Sequence, residues 1–226
     1  MTSDEKLRLN ERVFKMLEKT TYRVASCYSD LRAIGNLRYH CYHRGQAISP
    51  NENCELVDEH DEYENCYIFG VYFENQLVSS IRIHVVRSFN ESSPAIEIFP
   101  ECLKILQENG LIIVDPNRFV VDRAASQKFP EPHFVTLRIP FMAAEYFKAG
   151  VTTATVRKEH APSYRRVLRC NELAKPRQYL SMTKPLGLLV AQFQTERMRV
   201  LENFPFMTSR EFEAQSLFGA DEATSS

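Results

Sequence analysis

What this chain lacks narrows its function before any motif is read. It has no excess of charge: 28 lysines and arginines stand against 29 aspartates and glutamates, a net charge of −1. A general nucleic-acid binder needs a basic balance, so a charged partner has to meet a local patch. The six cysteines, at positions 27, 41, 54, 66, 102 and 170, include no C-x-x-C pair. Zinc ligation through Cys41, His43, Cys54, His60 or Cys66 matches no recognised spacing. Free thiols in a reducing cytoplasm are the simpler reading. No apolar run, residues 186–191 included, is long enough to span a bilayer, and residues 1–12 lack the apolar stretch of a signal peptide. The seven glycines form neither a G-x-S-x-G elbow nor a phosphate loop, so serine hydrolysis and P-loop chemistry have no support. Tryptophan is absent.

What is present suits one sizeable core: 226 residues, 44% of them apolar. We expect a single domain over residues 1–218, its core at about 22–191, and a disordered polar tail at 219–226. Residues 22–27 read as a strand. Ser29 and Asp30 can cap a helix to about residue 44, with Leu31, Ile34, Leu37 and Cys41 at helical spacing. Residues 65–73 and 76–86 are β-branched runs joined by Glu74-Asn75, which predicts a hairpin. Helices follow at 100–108, 138–148 and 161–170, strands at 151–157 and within 179–193, and a helical segment at 192–218. The order implies an α/β (α+β) fold, a mixed sheet flanked by helices.

Residues 111–122 are the most informative stretch. They read as a strand at both ends, with Asp115, Pro116, Asn117 and Arg118 in the middle. Proline cannot donate to a sheet ladder, so a central strand carrying one must bulge or splay from its neighbour. An opening lined by a carboxylate and a guanidinium suits a ligand.

Other charges fall where a bland core would not need them: Arg38 beside an apolar helix stripe, Asp61 and Glu64 before the hairpin, Arg82 inside a strand. They are either a binding site or a buried ion-pair network that orients loops. A second group, Arg157-Lys158-Glu159-His160, ends a strand and is followed by Tyr164, Arg165, Arg166 and Arg169. Glu159 or His160 can accept a proton from an amine, and Tyr164 can donate one to a leaving group. No carboxylate falls between Glu159 and Glu172, so the helix carrying these arginines suits an acidic partner or presents an ordinary solvated face.

The block from Leu37 to Arg44, the hairpin through Arg82 and His84, Arg118-Phe119, Met142 to Phe147, and Thr155 to His160 with Tyr164 to Val167 together resemble the bacterial N-acyl amino acid synthases. These are GNAT-like enzymes related to the acyl-homoserine lactone synthases. The lactone synthases carry a helix arginine, D-x-[YF]-D, a strand arginine and E-x-x-R-F. Those positions match Arg38, Asp61-Glu-Tyr-Glu64, Arg82 and Asp115-Pro-Asn-Arg-Phe119, with Glu64 and Asp115 as exchanged carboxylates. The missing tryptophan favours the amino acid branch.

The resemblance implies a GNAT-like, mostly antiparallel sheet with a splayed central strand pair. It implies transfer of a long-chain acyl group from acyl carrier protein, rather than acyl-CoA, to the α-amine of an amino acid in the cytoplasm. The 4′-phosphopantetheine arrives with the carrier, so no cofactor belongs to the protein itself and no metal is needed. The glycine-free segment 123–130 lacks the loop that cradles the CoA pyrophosphate. Arg118 or Arg82 would hold the amino acid carboxylate, within a substrate site of Arg38, Asp61, Glu64, Arg82, Arg118 and His160. Asp115 or Glu159 would take the amine proton and Tyr164 would protonate the thiolate. Phe119, Val120 and Val121 would line the acyl path, and backbone N–H groups freed by the bulge would stabilise the oxyanion. Arg157, Lys158, Arg165, Arg166 and Arg169 would dock the carrier. The lipid product allows transient membrane contact; nucleic acid is not an expected partner. The runners-up are a lactone synthase using S-adenosylmethionine and a non-catalytic carrier- or lipid-binding module.

Overall fold

The computed structural model describes residues 2–129, 131–179 and 182–219. The expected disordered tail thus lies, from residue 220 on, outside the described residues. In chain order the elements are α1 (Ser3–Leu17), β1 (Thr20–Val24), α2 (Tyr28–Arg44), β2 (Cys66–Phe73), β3 (Gln76–Val86), α3 (Pro94–Ile98), α4 (Pro100–Glu108), β4 (Ile113–Val121) and α5 (Arg123–Lys128). There follow α6 (Pro132–Tyr146), β5 (Val151–Val156), α7 (Ala161–Val167), β6 (Asn171–Arg177), β7 (Leu186–Gln192), α8 (Phe193–Asn203) and α9 (Glu211–Phe218).

The strands form one sheet in the order β1-β2-β3-β4-β5-β7-β6. Neighbouring strands run antiparallel except β4 and β5, which are parallel and pair only at Ile113 with Val151 and Val114 with Thr152. A helix layer covers each face, which is why β2 and β3 read as nearly unbroken apolar runs. Ile81 and Ile83 of β3 bury against α6, in a cluster that also takes in α1, α8 and α9. Arg82 and His84, alternating with them, face the opposite layer, where α2 and α3 lie. This is the mixed sheet that the element order implied, in the mostly antiparallel form that the resemblance implied.

Several boundaries move. The chain starts with a helix the sequence reading left out, opened by a reciprocal cap between Thr2 and Glu5. Helix α6 begins six residues before the expected position 138, with Pro132 in its first turn, and continues through Pro140. Helix α7 stops at Val167 rather than 170, and Arg169 has a left-handed φ of 58°. Segment 123–128, to which the sequence reading assigned no element, is the short helix α5, whose N-cap Asp122 accepts from Ala125 N–H at 2.8 Å.

Candidate active site

The parting of β4 and β5 follows from Pro116. Ile112 O accepts from Val151 N–H at 3.3 Å, so even-numbered residues at the start of β4 turn their backbone groups to β5. The donor position after Val114 on that side is Pro116, which has none, and pairing ends there. Against β3 the strand is unbroken at the proline, since Pro116 stands opposite Ile83. The bulge lies two residues on. Between the pairs Arg82–Asn117 and Ser80–Val120, β4 has two residues where β3 has one, and the first of them, Arg118, has φ 51°. Left-handed backbone costs a side-chain-bearing residue about 1–2 kcal/mol. Its effect is to turn the consecutive side chains of Asn117 and Arg118 to the α2 face. Beyond it, Asp122 N–H donates to Val78 O, so by alternation Phe119 and Val121 turn their N–H groups to the gap beside β5.

On the α2 face three arginines meet two aspartates. Arg38 Nη1 donates to Asp61 Oδ1 at 2.8 Å and Oδ2 at 3.1 Å. Arg82 Nε donates to Asn117 Oδ1 at 2.6 Å, and its Nη1 lies 2.5 Å from Asp58 Oδ1 and 3.0 Å from Asp61 Oδ1. Arg118 donates to Asp58 Oδ2 through Nε at 3.0 Å and through Nη2. Burial pushes the carboxyl of Asp58 upward, but Arg118 and Arg82 outweigh it and hold Asp58 well below the carboxylate range. Arg38 and Arg82 do the same for Asp61 against its burial. The acidic segment that meets the arginines is therefore Asp58-Glu-His-Asp61, three residues before the expected Asp61 to Glu64. Glu64 is exposed and joins no arginine among the described residues. Asp58 escaped the sequence reading, although the D-x-x-D spacing of a reciprocal cap was there to be seen: Asp58 N–H donates to Asp61 Oδ2 at 3.0 Å.

Asp115 is fully buried and stands apart from the gap. Its Oδ1 accepts from Thr153 Oγ1 at 2.5 Å and its Oδ2 from Ala95 N–H in α3 at 3.1 Å. Burial raises its pKa, with these hydrogen bonds partly offsetting the rise. Asn117 donates to His84 Nδ1 at 3.1 Å, while burial and then Arg82 lower His84 to about 3, so that ring is neutral.

The parted strands enclose a cavity of about 490 Å³. Phe119, Val120 and Val121 line it from β4, Ala154 to Val156 from β5 with Arg157 just beyond, Cys41 and Tyr42 from α2, and His133 and Leu137 from α6. Because α2 and α6 lie on opposite faces, the cavity passes through the sheet. Arg118 reaches its wall over the Tyr42 ring, 5.6 Å from the centroid, and among the described residues its Nη1 has only Met182 Sδ, at 3.9 Å, as acceptor. Tyr179 and Met182, which sequence reading also missed, close this end. Tyr164 and His160 line the cavity too. Burial raises the pKa of Tyr164, keeping its proton. Arg157 Nη2 lies 2.9 Å from His160 Nε2. A guanidinium can only donate, so Nε2 accepts and the ring is neutral. Burial and then Arg157 lower the pKa of His160.

The remaining expected residues lie outside the cavity. The Glu159 side chain is 56% exposed and lies 3.4 Å from Arg157 Nε. Arg165 pairs with Glu172 at 2.7 Å and Arg169 with Glu196 at 3.4 Å, so folding brings carboxylates to a segment that has none in sequence. Lys158 and Arg166 are exposed and have no ion pair among the described residues.

Comparison with known proteins agrees with this fold. The family described as N-acyl amino acid synthase FeeM matches residues 33–192. No curated protein matches in sequence. Among solved structures, FeeM, an N-acyl amino acid synthase from uncultured soil microbes, is 15% identical, with a TM-score of 0.68 over 84% of this chain and 98% of that one. The acyl-homoserine lactone synthase LasI is 12% identical, with a TM-score of 0.57 over 85% of this chain and 98% of its own. An acyl-CoA N-acyltransferase from Pseudomonas aeruginosa, 15% identical, gives 0.50 over 76% of this chain and 97% of its own. No described helix is long and apolar enough to cross a membrane. The chain has the GNAT fold and belongs to the FeeM family of N-acyl amino acid synthases, as an acyltransferase.

Proposed function

We propose that this protein transfers a long-chain fatty acyl group from an acyl carrier protein thioester to the α-amine of an amino acid, in the bacterial cytoplasm. The observation that carries this reading is the cavity between the parted strands, apolar along Phe119, Val120, Val121 and Leu137 and lined from both faces of the sheet. Two substrates can lie against its two sides and meet in the gap, which is the positioning that an amide-forming transfer needs.

In the reaction the amine nitrogen attacks the thioester carbon; a C–N bond forms and the C–S bond breaks. The Phe119 N–H, turned to the gap, stabilises the oxyanion. Neutral His160 takes the amine proton at Nε2 once Arg157 Nη2 gives up its hydrogen bond there, a role that buried, hydrogen-bonded Asp115 and Glu159, which lies outside the cavity, are less well placed to fill. Tyr164, protonated, returns one proton to the thiolate. Arg118, through its Nη1 at the cavity wall, which among the described residues meets only the Met182 sulfur, holds the carboxylate of the amino acid. The donor brings its own phosphopantetheine. Arg157, Lys158 and Arg166 face the acidic carrier, and the lack of glycine in residues 123–130 supports a carrier over CoA.

The test is to incubate the purified protein with a long-chain acyl-carrier-protein and each amino acid, and to identify products by mass spectrometry. An N-acyl amino acid is expected. An acyl lactone formed from S-adenosylmethionine, or acyl-carrier binding with no product, would overturn the reading.

A further inference from the structure

We infer that Asp122 selects the acyl donor by its head group: it admits a thioester whose arm ends in a single phosphodiester and excludes one that ends in a nucleotide pyrophosphate. This rests on the carrier-protein reading above.

The gap between β4 and β5 opens in one direction only. The strands are paired at Val114 and Thr152 and separate toward their C-terminal ends. An arm lying in the gap, with its thioester at Phe119, therefore leaves between Val121 and Val156, both of which line the cavity. The next residue on one lip is Asp122 and on the other Arg157. These two side chains differ in sign, with exposed Arg123 following the first and exposed Glu159 paired with the second.

On the β4 lip the first amides of α5 would otherwise face an anion. Instead the chain supplies its own: Asp122 Oδ1 accepts from Ala125 N–H at 2.8 Å. Among the described residues no lysine or arginine forms an ion pair with Asp122, although Arg44 acts against it at Cys41 and exposed Arg123 follows it in the chain. The Asp122 charge is felt at the cavity wall, where burial and then Asp122 push the Cys41 thiol up to about 11. On the β5 lip stand Arg157 and, at the rim, Lys184, with Lys158 exposed beside them.

One phosphodiester can sit on the basic lip. A pyrophosphate carrying a nucleotide extends further charges across the mouth toward Asp122, where like charges meet and the Ala125 N–H is already taken. The same carboxylate that caps α5 thereby discriminates against coenzyme A thioesters.

The test compares kcat/KM for an acyl-carrier-protein and for the acyl-CoA of the same chain length, in wild type, Asp122→Asn, Asp122→Ser and Asp122→Glu. Asparagine and serine are good N-caps, so α5 is kept while the charge is removed. The ratio of acyl-CoA to acyl-carrier use should rise by about tenfold or more in the two neutral variants and stay low with glutamate. In wild type, acyl-CoA use should improve with added salt as the repulsion is screened. If wild type prefers the carrier and neither neutral variant shifts the ratio, the role of Asp122 is wrong while the carrier-protein reading stands. If wild type uses both donors equally, the carrier-protein reading fails and this inference with it.

Discussion

Thr153 Oγ1 donates to Asp115 Oδ1 at 2.5 Å, joining β5 to β4 one residue beyond the last backbone pair between them. The other carboxylate oxygen receives the Ala95 N–H of α3 at 3.1 Å, so one buried side chain fixes the apex of the gap to the helix layer behind it. Thr153→Val keeps the shape and removes the donor, leaving a buried acceptor half-satisfied. It should cost about 1–3 kcal/mol of unfolding free energy. Because the apex sets the gap, KM for the acyl donor should rise as well. Urea unfolding within about 0.5 kcal/mol of wild type would show that the bridge contributes nothing.

Arg118 combines a left-handed backbone with an ion pair to Asp58 and a guanidinium nitrogen at the cavity wall. The two roles separate by substitution. Arg118→Ala and Arg118→Gly both remove the guanidinium, and each should lower kcat/KM by about one to two orders of magnitude through the acceptor amino acid. In a strand, glycine is ordinarily the less stable by about 0.5–1 kcal/mol. At φ 51° the order should reverse, with Arg118→Gly at least as stable as Arg118→Ala. Thermal unfolding of the pair decides it, and alanine the more stable by the ordinary margin would rule out a strained backbone.

Much of this site could be read from the chain, and what could not has identifiable causes. A buried arginine inside an apolar strand is conspicuous, so Arg82 and Arg118 stood out, and Pro116 announced the parting of the strands. The bulge at Arg118 has no such mark, because its usual signature is a glycine and here an ion pair holds the backbone instead. The partners of the arginines were displaced by one helical turn's worth of sequence, because Asp58 and Asp61 lie in a single tight turn whose register only folding fixes. Asp115 looked free in sequence, since Thr153 and Ala95 lie far along the chain. Arg165 and Arg169 looked like a carboxylate-free surface for the same reason: Glu172 and Glu196 arrive from β6 and α8.

The arginine–aspartate cluster also sets the response to acid. Asp58 and Asp61 have folded pKa values held below their ordinary 3.8. Their contribution is therefore fully present above about pH 4 and lost as the pH falls through the lowered folded values. Asp115 works in the opposite sense: with its pKa raised, its contribution is present below 3.8 and lost as the pH rises through the folded value. Asp58→Asn removes one depressed carboxylate, so stability between about pH 5 and 2 should fall less steeply than in wild type, from a lower starting point. Urea midpoints measured across that range would reveal it. An acid slope equal to that of wild type would mean the arginines do not hold Asp58 ionised.

If neutral His160 takes the amine proton, its titration should appear as the acidic limb of the pH profile. Its folded pKa lies below the ordinary 6.5, because burial and then the adjacent Arg157 disfavour the charged ring. The acidic limb of kcat/KM should accordingly sit below pH 6.5, with the base ready at neutral pH. Arg157→Met removes the second cause and the Nη2 contact at 2.9 Å, so the limb should move up toward 6.5. His160→Gln should reduce kcat by about two to four orders of magnitude and abolish the limb altogether, whereas Glu159→Gln, changing an exposed carboxylate outside the cavity, should leave the profile in place. A limb that survives in His160→Gln and vanishes in Glu159→Gln would transfer the role to Glu159.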